Sequence, residues 1–393
     1  MSISLDIKEY LKSFDIDFDL DFESNKNQIF EEIINGFDLD IDNEEKNCLF
    51  YTINVYLDRE LKLLYKYNDN IDKVNSLKEL DLPDQRTPEW YEMRKNKLTA
   101  SSFADALGKG HFKTRNQSLL DKIIDQPFEP NPITEWGTKY EEVATRFYEY
   151  LTGASIYEFG LIPHSEFPAF GASPDGICDT NSPLHLIGRM LEIKCPPKRK
   201  FTKAVPPHYM MQMQGQLEVC DLEECDFLQV ELKEYINFDD YKSDIHENYD
   251  KFGFTKDNFP KGYTITYIKE SNPNKFHYLY CPLFSSNSMI EIWKDEKMDF
   301  LKNNNFKFHE EKFWKIVRYE CTLVTRNKAW WNENVENIYN YYKDLLFYKK
   351  DNNIEILKKK VDGEKGKKIY YIKEDNIDDF CLISDEEDNT NSS

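Results

Sequence analysis

The sequence predicts an α/β fold preceded by an acidic helical extension, and three observations predict it. Apolar residues recur at i, i+3, i+4 spacing across residues 27–37 and 43–67, the period of a helix. From residue 167 onward, short runs rich in β-branched and aromatic residues, bounded by Pro, Gly and Asp, alternate with helical stretches. The 393 residues are enough for one large domain or two with an ample core. The expected organisation is a helical region at 1–84, an α/β domain at 85–348, and a hairpin with an acidic, polar, disordered tail at 349–393.

Thr87 and Pro88 start a helix, because Thr caps well and Pro suits the first helical position; Trp90 and Arg94 stand one turn apart on it. Thr99-Ala100-Ser101-Ser102-Phe103, closed by Gly108, reads as a short helix whose first turn offers hydroxyls and free N–H groups. Such an end can receive a phosphate, with Arg94 supplying a bidentate fork; Thr99 and Ser101 as plain caps and Arg94 as a surface ion-pairer is the alternative. Residues 135–151 form the next helix, with Tyr140, Val143, Phe147 and Leu151 on one stripe and Gly153 as its stop. Glu141 borders that stripe and can lean over the core edge, or be an ordinary glutamate on a helix face.

Residues 167–178 and 190–195 read as two strands of a hairpin joined by 179–188. Residues two apart on a strand share a face, so Glu192 and Lys194 point together, and Asp175 on the partner strand can face them. Pro206 and Pro207 start a helix over 208–219 carrying Gln212, Gln214 and Gln216. Strands at 227–236, 262–268 and 275–283, a helix at 288–301, a strand at 312–324 and a Trp- and Tyr-rich helix at 330–347 packed on the sheet follow. The last element expected is a hairpin over 354–372 turning at Asp362-Gly363.

Two carboxylates and one ammonium at a single point suit hydrolysis of a phosphodiester. That reaction needs an activated water, neutralised phosphate charge and a stabilised leaving oxygen, and Mg²⁺ held by carboxylates serves all three needs. Asp175, Glu192, a backbone carbonyl and substrate oxygens make a sufficient set, and Lys194 orients the water or stabilises the transition state. Glu-x-Lys also occurs at Glu44, Glu60, Glu231 and Glu310, but only Glu192 lies in an apolar strand-like run stopped by two prolines. The alternative is a type I′ turn at Asp175-Gly176 beside a solvated cross-strand pair. Lys198, Arg199, Lys200 and Lys203 form a basic cluster directly after that strand, and Lys109, Lys113 and Arg115 form another; phosphate contacts and solvated faces are the two readings of each.

A formal charge of −21 runs against the usual nucleic-acid signature, yet its distribution softens the conflict. Residues 1–80 hold 9 Lys and Arg against 19 Asp and Glu, whereas residues 81–230 hold 16 against 22. The cysteines include no CxxC pair and are expected to be reduced and structural. No apolar run of about 20 residues occurs, so an intracellular, soluble protein with no membrane partner is expected.

The series carried by Arg86, Trp90, Arg94, Thr99, Ala100 and Ser101, then Gly137 and Glu141, Gly171 with Ser173-Pro174-Asp175-Gly176, Leu191-Glu192-Ile193-Lys194-Cys195-Pro196, and Tyr209, Met210, Gln212 and Gln214 resembles the YqaJ or lambda-exonuclease-like viral recombinases. These are PD-(D/E)XK nucleases, and the resemblance spans residues 85–230. It implies a restriction-endonuclease-like core with a mixed central sheet flanked by helices. It also implies Asp175 and Glu192 as Mg²⁺ ligands (Mn²⁺ the alternative ion), Lys194 as catalytic lysine, Glu141 as a further acid from a helix, and Gln214, with Gln212 nearby, as the glutamine that steadies the site. Arg94, Ser101 and Ser173 correspond to a pocket for a terminal 5′ phosphate. The implied activity is Mg²⁺-dependent, 5′ to 3′ exonucleolytic degradation of double-stranded DNA ends in viral recombination, repair or replication. A homo-oligomer and a single-strand annealing partner go with that role, in host cytoplasm or nucleus. A structure-specific endonuclease and a non-catalytic DNA-end-binding protein are the competing functions.

Overall fold

The computed structural model describes residues 3–14, 16–36, 42–124, 131–198, 201, 204–248, 251–350 and 353–364. In chain order its helices are α1 (Ile3–Ser13), α2 (Phe22–Asn35), α3 (Asn43–Lys78), α4 (Pro88–Lys95), α5 (Phe103–Ala106), α6 (Arg115–Ile123), α7 (Pro132–Thr152), α8 (Pro207–Cys220), α9 (Phe238–Ser243), α10 (Asn287–Asn303), α11 (Lys328–Tyr348) and α12 (Ile354–Glu364). Its strands are β1 (Leu98–Thr99), β2 (Ile156–Tyr157), β3 (Ile162–Pro163), β4 (Phe170–Ala172), β5 (Gly176–Cys178), β6 (Met190–Lys194), β7 (Glu224–Glu234), β8 (Lys261–Lys269), β9 (Asn272–Tyr280) and β10 (Lys307–Thr325).

A mixed sheet of seven strands, in the order β2-β5-β6-β7-β10-β8-β9, forms the centre. Only β6 and β7 run parallel, joined by α8; the remaining neighbours are antiparallel. Alternation along β6 decides what each layer sees. Met190 packs in one cluster with Met213 and Leu217 of α8 and Trp331 and Ile338 of α11. Leu191 and Ile193 pack in the other, with Val143 and Phe147 of α7. Helices therefore cover both faces of this α/β sheet, and the even-numbered residues of β6 are aimed at α8.

The run expected as one strand over 167–178 is two. β4 belongs to a small three-stranded sheet with β1 and β3, while β5 pairs with β6 in the large one. Ser173-Pro174-Asp175 forms the corner between them, where Pro174 offers no N–H to continue a ladder. Leu151, placed on the α7 stripe by spacing alone, is 41% exposed at the last turn; Tyr140, Val143, Ala144, Phe147 and Tyr148 make the buried face.

The expected hairpin at 354–372 is, over its described part, the helix α12. Leu357 and Val361 lie one turn apart and are both buried, and Glu364 accepts hydrogen bonds from Thr114 (2.7 Å) and Asn116 (2.6 Å). Burial of that face outweighs the turn preference of Asp362-Gly363. Residues 365–372 and the tail at 374–393 lie outside the described residues.

Helix α3 belongs to two cores at once. Ile53, Leu57 and Leu61 pack with Ile29 and Ile33 of α2 and with Ile7 and Leu11 of α1. About three and a half turns past Leu61, Val74 is buried in the main cluster, and Asn70 donates to Ile187 O (2.9 Å) at the turn between β5 and β6. Gly188 in that turn has φ +78°, a left-handed conformation that favours glycine.

Candidate active site

Three side chains meet at the carboxyl end of β6. Gly176 is registered opposite Leu191, so Asp175 stands opposite Glu192, and its Oδ2 accepts a 2.6 Å hydrogen bond from Ile193 N–H. Glu192 is 1% exposed, and its carboxylate is held by three donors. Oε1 accepts from Lys194 Nζ and from Gln212 Nε2 (2.7 Å); Oε2 accepts from Gln216 Nε2 (2.8 Å). Lys194 also donates to Ile193 O (3.0 Å) and lies over the Tyr209 ring at 5.1 Å.

The electrostatics follow from burial. Desolvation, and next the Glu192 carboxylate, push Asp175 well above the usual carboxylate range; Lys194 and the Ile193 N–H pull against them, and Glu141 adds to the rise. For Lys194, burial acts to depress the ammonium, but Glu192 and Asp175 outweigh it and raise its pKa above the ordinary value. The lysine is thus a fixed cation.

Glu141 reaches the same cleft from α7. Its Oε1 accepts from Arg86 Nη2 at 2.5 Å, and Arg86 has a left-handed backbone (φ 66°). Asp84, Arg86, Glu141, Glu158 and Asp175 line a cleft of about 350 Å³. Among the described residues no three His, Cys, Asp or Glu side chains are gathered as a preformed metal cage. Asp175, Glu192 and the Ile193 carbonyl nevertheless fit a hard divalent cation, because Mg²⁺ takes oxygen donors, keeps several waters and needs only one or two protein carboxylates.

A second group of residues lies beside the first. Trp90 links them: its Nε1 donates to Ser173 Oγ (3.1 Å), two residues before Asp175, while Arg94 covers its ring at 4.3 Å. Arg94 Nη2 donates to Ser101 Oγ (3.4 Å), which in turn is 3.0 Å from Thr99 Oγ1. No carboxylate pairs with Arg94 among the described residues, and burial lowers its pKa. Lys122, on the last turn of α6, is depressed to about 8 by burial and by the charges of Arg94, Lys113 and Lys349. Arg94, beside the Ser101 and Thr99 hydroxyls and paired with no carboxylate among the described residues, is suited to a phosphate.

The glutamines are distributed differently from the expectation. Gln214 donates to Thr325 O (2.9 Å) and accepts from Asn327 N (2.6 Å), so it ties α8 to β10 and α11. The contacts to Glu192 come from Gln212 and from Gln216, which was not among the expected site residues although its i+4 spacing from Gln212 puts both on one helix face. Gly215 lets α8 approach: a Cβ there would lie 2.3 Å from Phe103 Cδ2. Of the basic clusters, Lys198 is exposed just past β6, and Arg199, Lys200 and Lys203 lie outside the described residues. Lys113 pairs with Asp121 of α6 (3.0 Å) and Arg115 with Asp344 of α11 (2.7 Å), so these two cations are engaged within the fold.

Asp175, Glu192 and Lys194 thus meet on a mixed sheet, with Arg94 and the Ser101 and Thr99 hydroxyls beside them. Residues 89–223 match the family model of the YqaJ-like viral recombinase domain. The chain is 29% identical over 348 residues to an uncharacterized protein of Acanthamoeba polyphaga mimivirus, the match covering 80% of this chain and 63% of that protein, so less than two thirds of the relative is spanned. It is also similar to the crystal structure of an alkaline exonuclease from Laribacter hongkongensis, at 22% identity, 70% of this chain, 99% of that one and a TM-score of 0.40. A phage-related exonuclease from Haemophilus somnus follows at 14% identity, 64% and 93% coverage and a TM-score of 0.33. Among the described residues no helix is long and apolar enough to cross a membrane.

Proposed function

We propose that this chain is a metal-dependent exonuclease that degrades double-stranded DNA from an end, in the 5′ to 3′ direction, with Mg²⁺ as the working ion and Mn²⁺ as a substitute. The observation that carries this reading is the meeting of Asp175, Glu192 and Lys194 at the carboxyl end of β6. The YqaJ-like domain at residues 89–223 supports a nuclease on the same segment.

Asp175, Glu192 and the Ile193 carbonyl would hold the ion, with Glu141 a further acid reaching it through water. The ion, when bound, supplies Lewis-acid charge to the phosphate and lowers the pKa of water. The protein's own parts are then specific. Gln212 and Gln216 hold the Glu192 carboxylate in one rotamer, so no reorganisation is needed when the phosphate arrives. Lys194, kept cationic by its two acidic neighbours, places a positive charge beside the attacking water and the growing negative charge. Arg94, Ser101 and Ser173 receive the 5′-terminal phosphate, and Trp90 fixes their distance from Asp175 by contacting both sides.

The test is turnover of radiolabelled linear and covalently closed circular duplexes in Mg²⁺. The proposal expects rapid nucleotide release from the linear form and none from the circle. Equal cleavage of the circle would give the chain to a structure-specific endonuclease, and end binding without release in Mg²⁺ or Mn²⁺ would give it to a non-catalytic end-binding protein.

A further inference from the structure

A continuous line of rings leads from the catalytic lysine out to solvent. Lys194 lies over Tyr209; the Tyr209 and His208 rings are 4.0 Å apart; His208 stacks on His111 at 4.8 Å with planes 14° apart; and His111 meets Phe112 edge-on at 4.6 Å. Phe112 is 79% exposed, an unusual setting for a phenylalanine. Two well-held pieces of backbone supply these rings. His208 and Tyr209 start α8, and Tyr209 packs on Phe227 of β7 (5.5 Å). His111 and Phe112 stand on the loop between α5 and α6, which is pinned by Lys109 N to Ala104 O (2.8 Å), Arg115 Nε to Ala106 O (3.1 Å) and the Lys113–Asp121 pair. Gly110 sits so close to Asp105 that a Cβ would lie 2.0 Å from its Oδ1, so the loop is packed down with Phe112 held outward.

We propose that this ladder is a stacking site for unpaired nucleobases of the DNA strand next to the phosphate being cut, with Phe112 as its outermost rung. It rests on the nuclease reading above and adds to it the place where bases leave the duplex. Three properties favour bases as the occupant. The ladder is continuous with the candidate active site through Tyr209 and Lys194. The exposed Phe112 ring offers a π-face that any base can stack on, which suits an enzyme that must accept every sequence. The stacked His111 and His208 rings lie nearly parallel, leaving Phe112 as the only fully apolar rung at the solvent end.

The experiment is binding of 5′-phosphorylated duplexes in Ca²⁺ without turnover, with 2-aminopurine at the terminal nucleotides. Parent protein, Phe112→Ala, Phe112→Leu and Phe112→Trp are compared on duplexes with unpaired terminal bases and with abasic sites there. The ladder predicts quenching of 2-aminopurine by the parent, and binding of the base-containing end weakened roughly five- to tenfold in the Ala and Leu variants. It also predicts recovery in the Trp variant and no effect of any substitution on the abasic end. Equal quenching and affinity in parent and Phe112→Ala overturns it, and so does equal loss on base-containing and abasic ends, which marks a generic contact. Nucleotide release by the parent in Mg²⁺ is measured on the same DNA. Release without a ladder effect sinks the ladder alone, whereas a ladder effect without release sinks the nuclease reading and leaves the ladder.

Discussion

Replacing Gln216 by Leu removes the hydrogen bond that its Nε2 donates to Oε2 of Glu192 while keeping nearly the same volume inside α8. The 2.8 Å bond is charge-assisted and buried, a class worth about 1.5–3 kcal/mol. Glu192 keeps Lys194 and Gln212 on its other oxygen, so the carboxylate stays in place but gains rotational freedom around that anchor. Loss of such a support to a metal-binding group lowers activity by roughly 10- to 100-fold. Gln214→Leu is the control from the same helix. It severs bonds to Thr325 O and Asn327 N, costs about 2–4 kcal/mol of stability, and leaves Glu192 untouched. Initial rates of nucleotide release in saturating Mg²⁺, beside urea denaturation of both variants, separate the two roles. Abolished turnover in Gln214→Leu at unchanged stability, with Gln216→Leu turning over like the parent, would refute this division of roles.

Lys194→Ala should reduce nucleotide release by at least about 10³-fold while end binding in Ca²⁺ stays within a few-fold of the parent; full turnover in the variant refutes its assignment. Arg94→Ala should erase the preference for 5′-phosphorylated over 5′-hydroxyl ends, and competition between the two ends measures it; an unphosphorylated end cut as fast by the parent removes the pocket's purpose. Lys122 gives a pH dependence. With its folded pKa depressed to about 8, below the ordinary lysine range, the charged form is disfavoured in the fold, so its contribution to stability increases as pH rises from about 8 toward 10. A bound phosphate acts in the opposite sense and raises that pKa, so end binding takes up protons and weakens as pH climbs through 8. Lys122→Met should flatten this curve, and affinity that holds steady or grows over that range in the parent contradicts it. Gly215→Val should cost about 1–3 kcal/mol, because the new side chain drives α8 away from Phe103, and should lower turnover by carrying Gln212 and Gln216 with it; a fully active variant contradicts the close-approach argument.

The hairpin that brings Asp175 opposite Glu192 was legible because its signals are local: two-residue alternation, a turn rich in small and polar residues, and prolines ending the second strand. The cap at Thr87 and the stop at Gly153 were legible for the same reason, each satisfying backbone groups within a few residues. What escaped depends on partners distant in sequence. Nothing within α8 says that Gln214 will meet the chain at Thr325 and Asn327 while Gln216 meets Glu192, although helix phase alone sets Gln214 apart from the face shared by Gln212 and Gln216. The split of residues 167–178 between two sheets turns on Pro174, which a strand-propensity argument tolerates at an edge. Helix α12 escaped because Asp362-Gly363 is a strong local turn signal, overridden by burial of Leu357 and Val361. The reach of α3 into the main core rests on Val74 and Asn70, beyond the strongly periodic part of that helix.

Divalent-ion-dependent nucleotide release from end-labelled linear duplex, followed over time in Mg²⁺, Ca²⁺ or EDTA for the parent and Asp175→Asn, bears most directly on the centre formed by Asp175, Glu192 and Lys194. Steady release by the parent in Mg²⁺ alone, with Asp175→Asn inert in all three yet still binding ends, is the outcome the geometry predicts. Release that persists in EDTA, or that Asp175→Asn leaves intact in Mg²⁺, would contradict it.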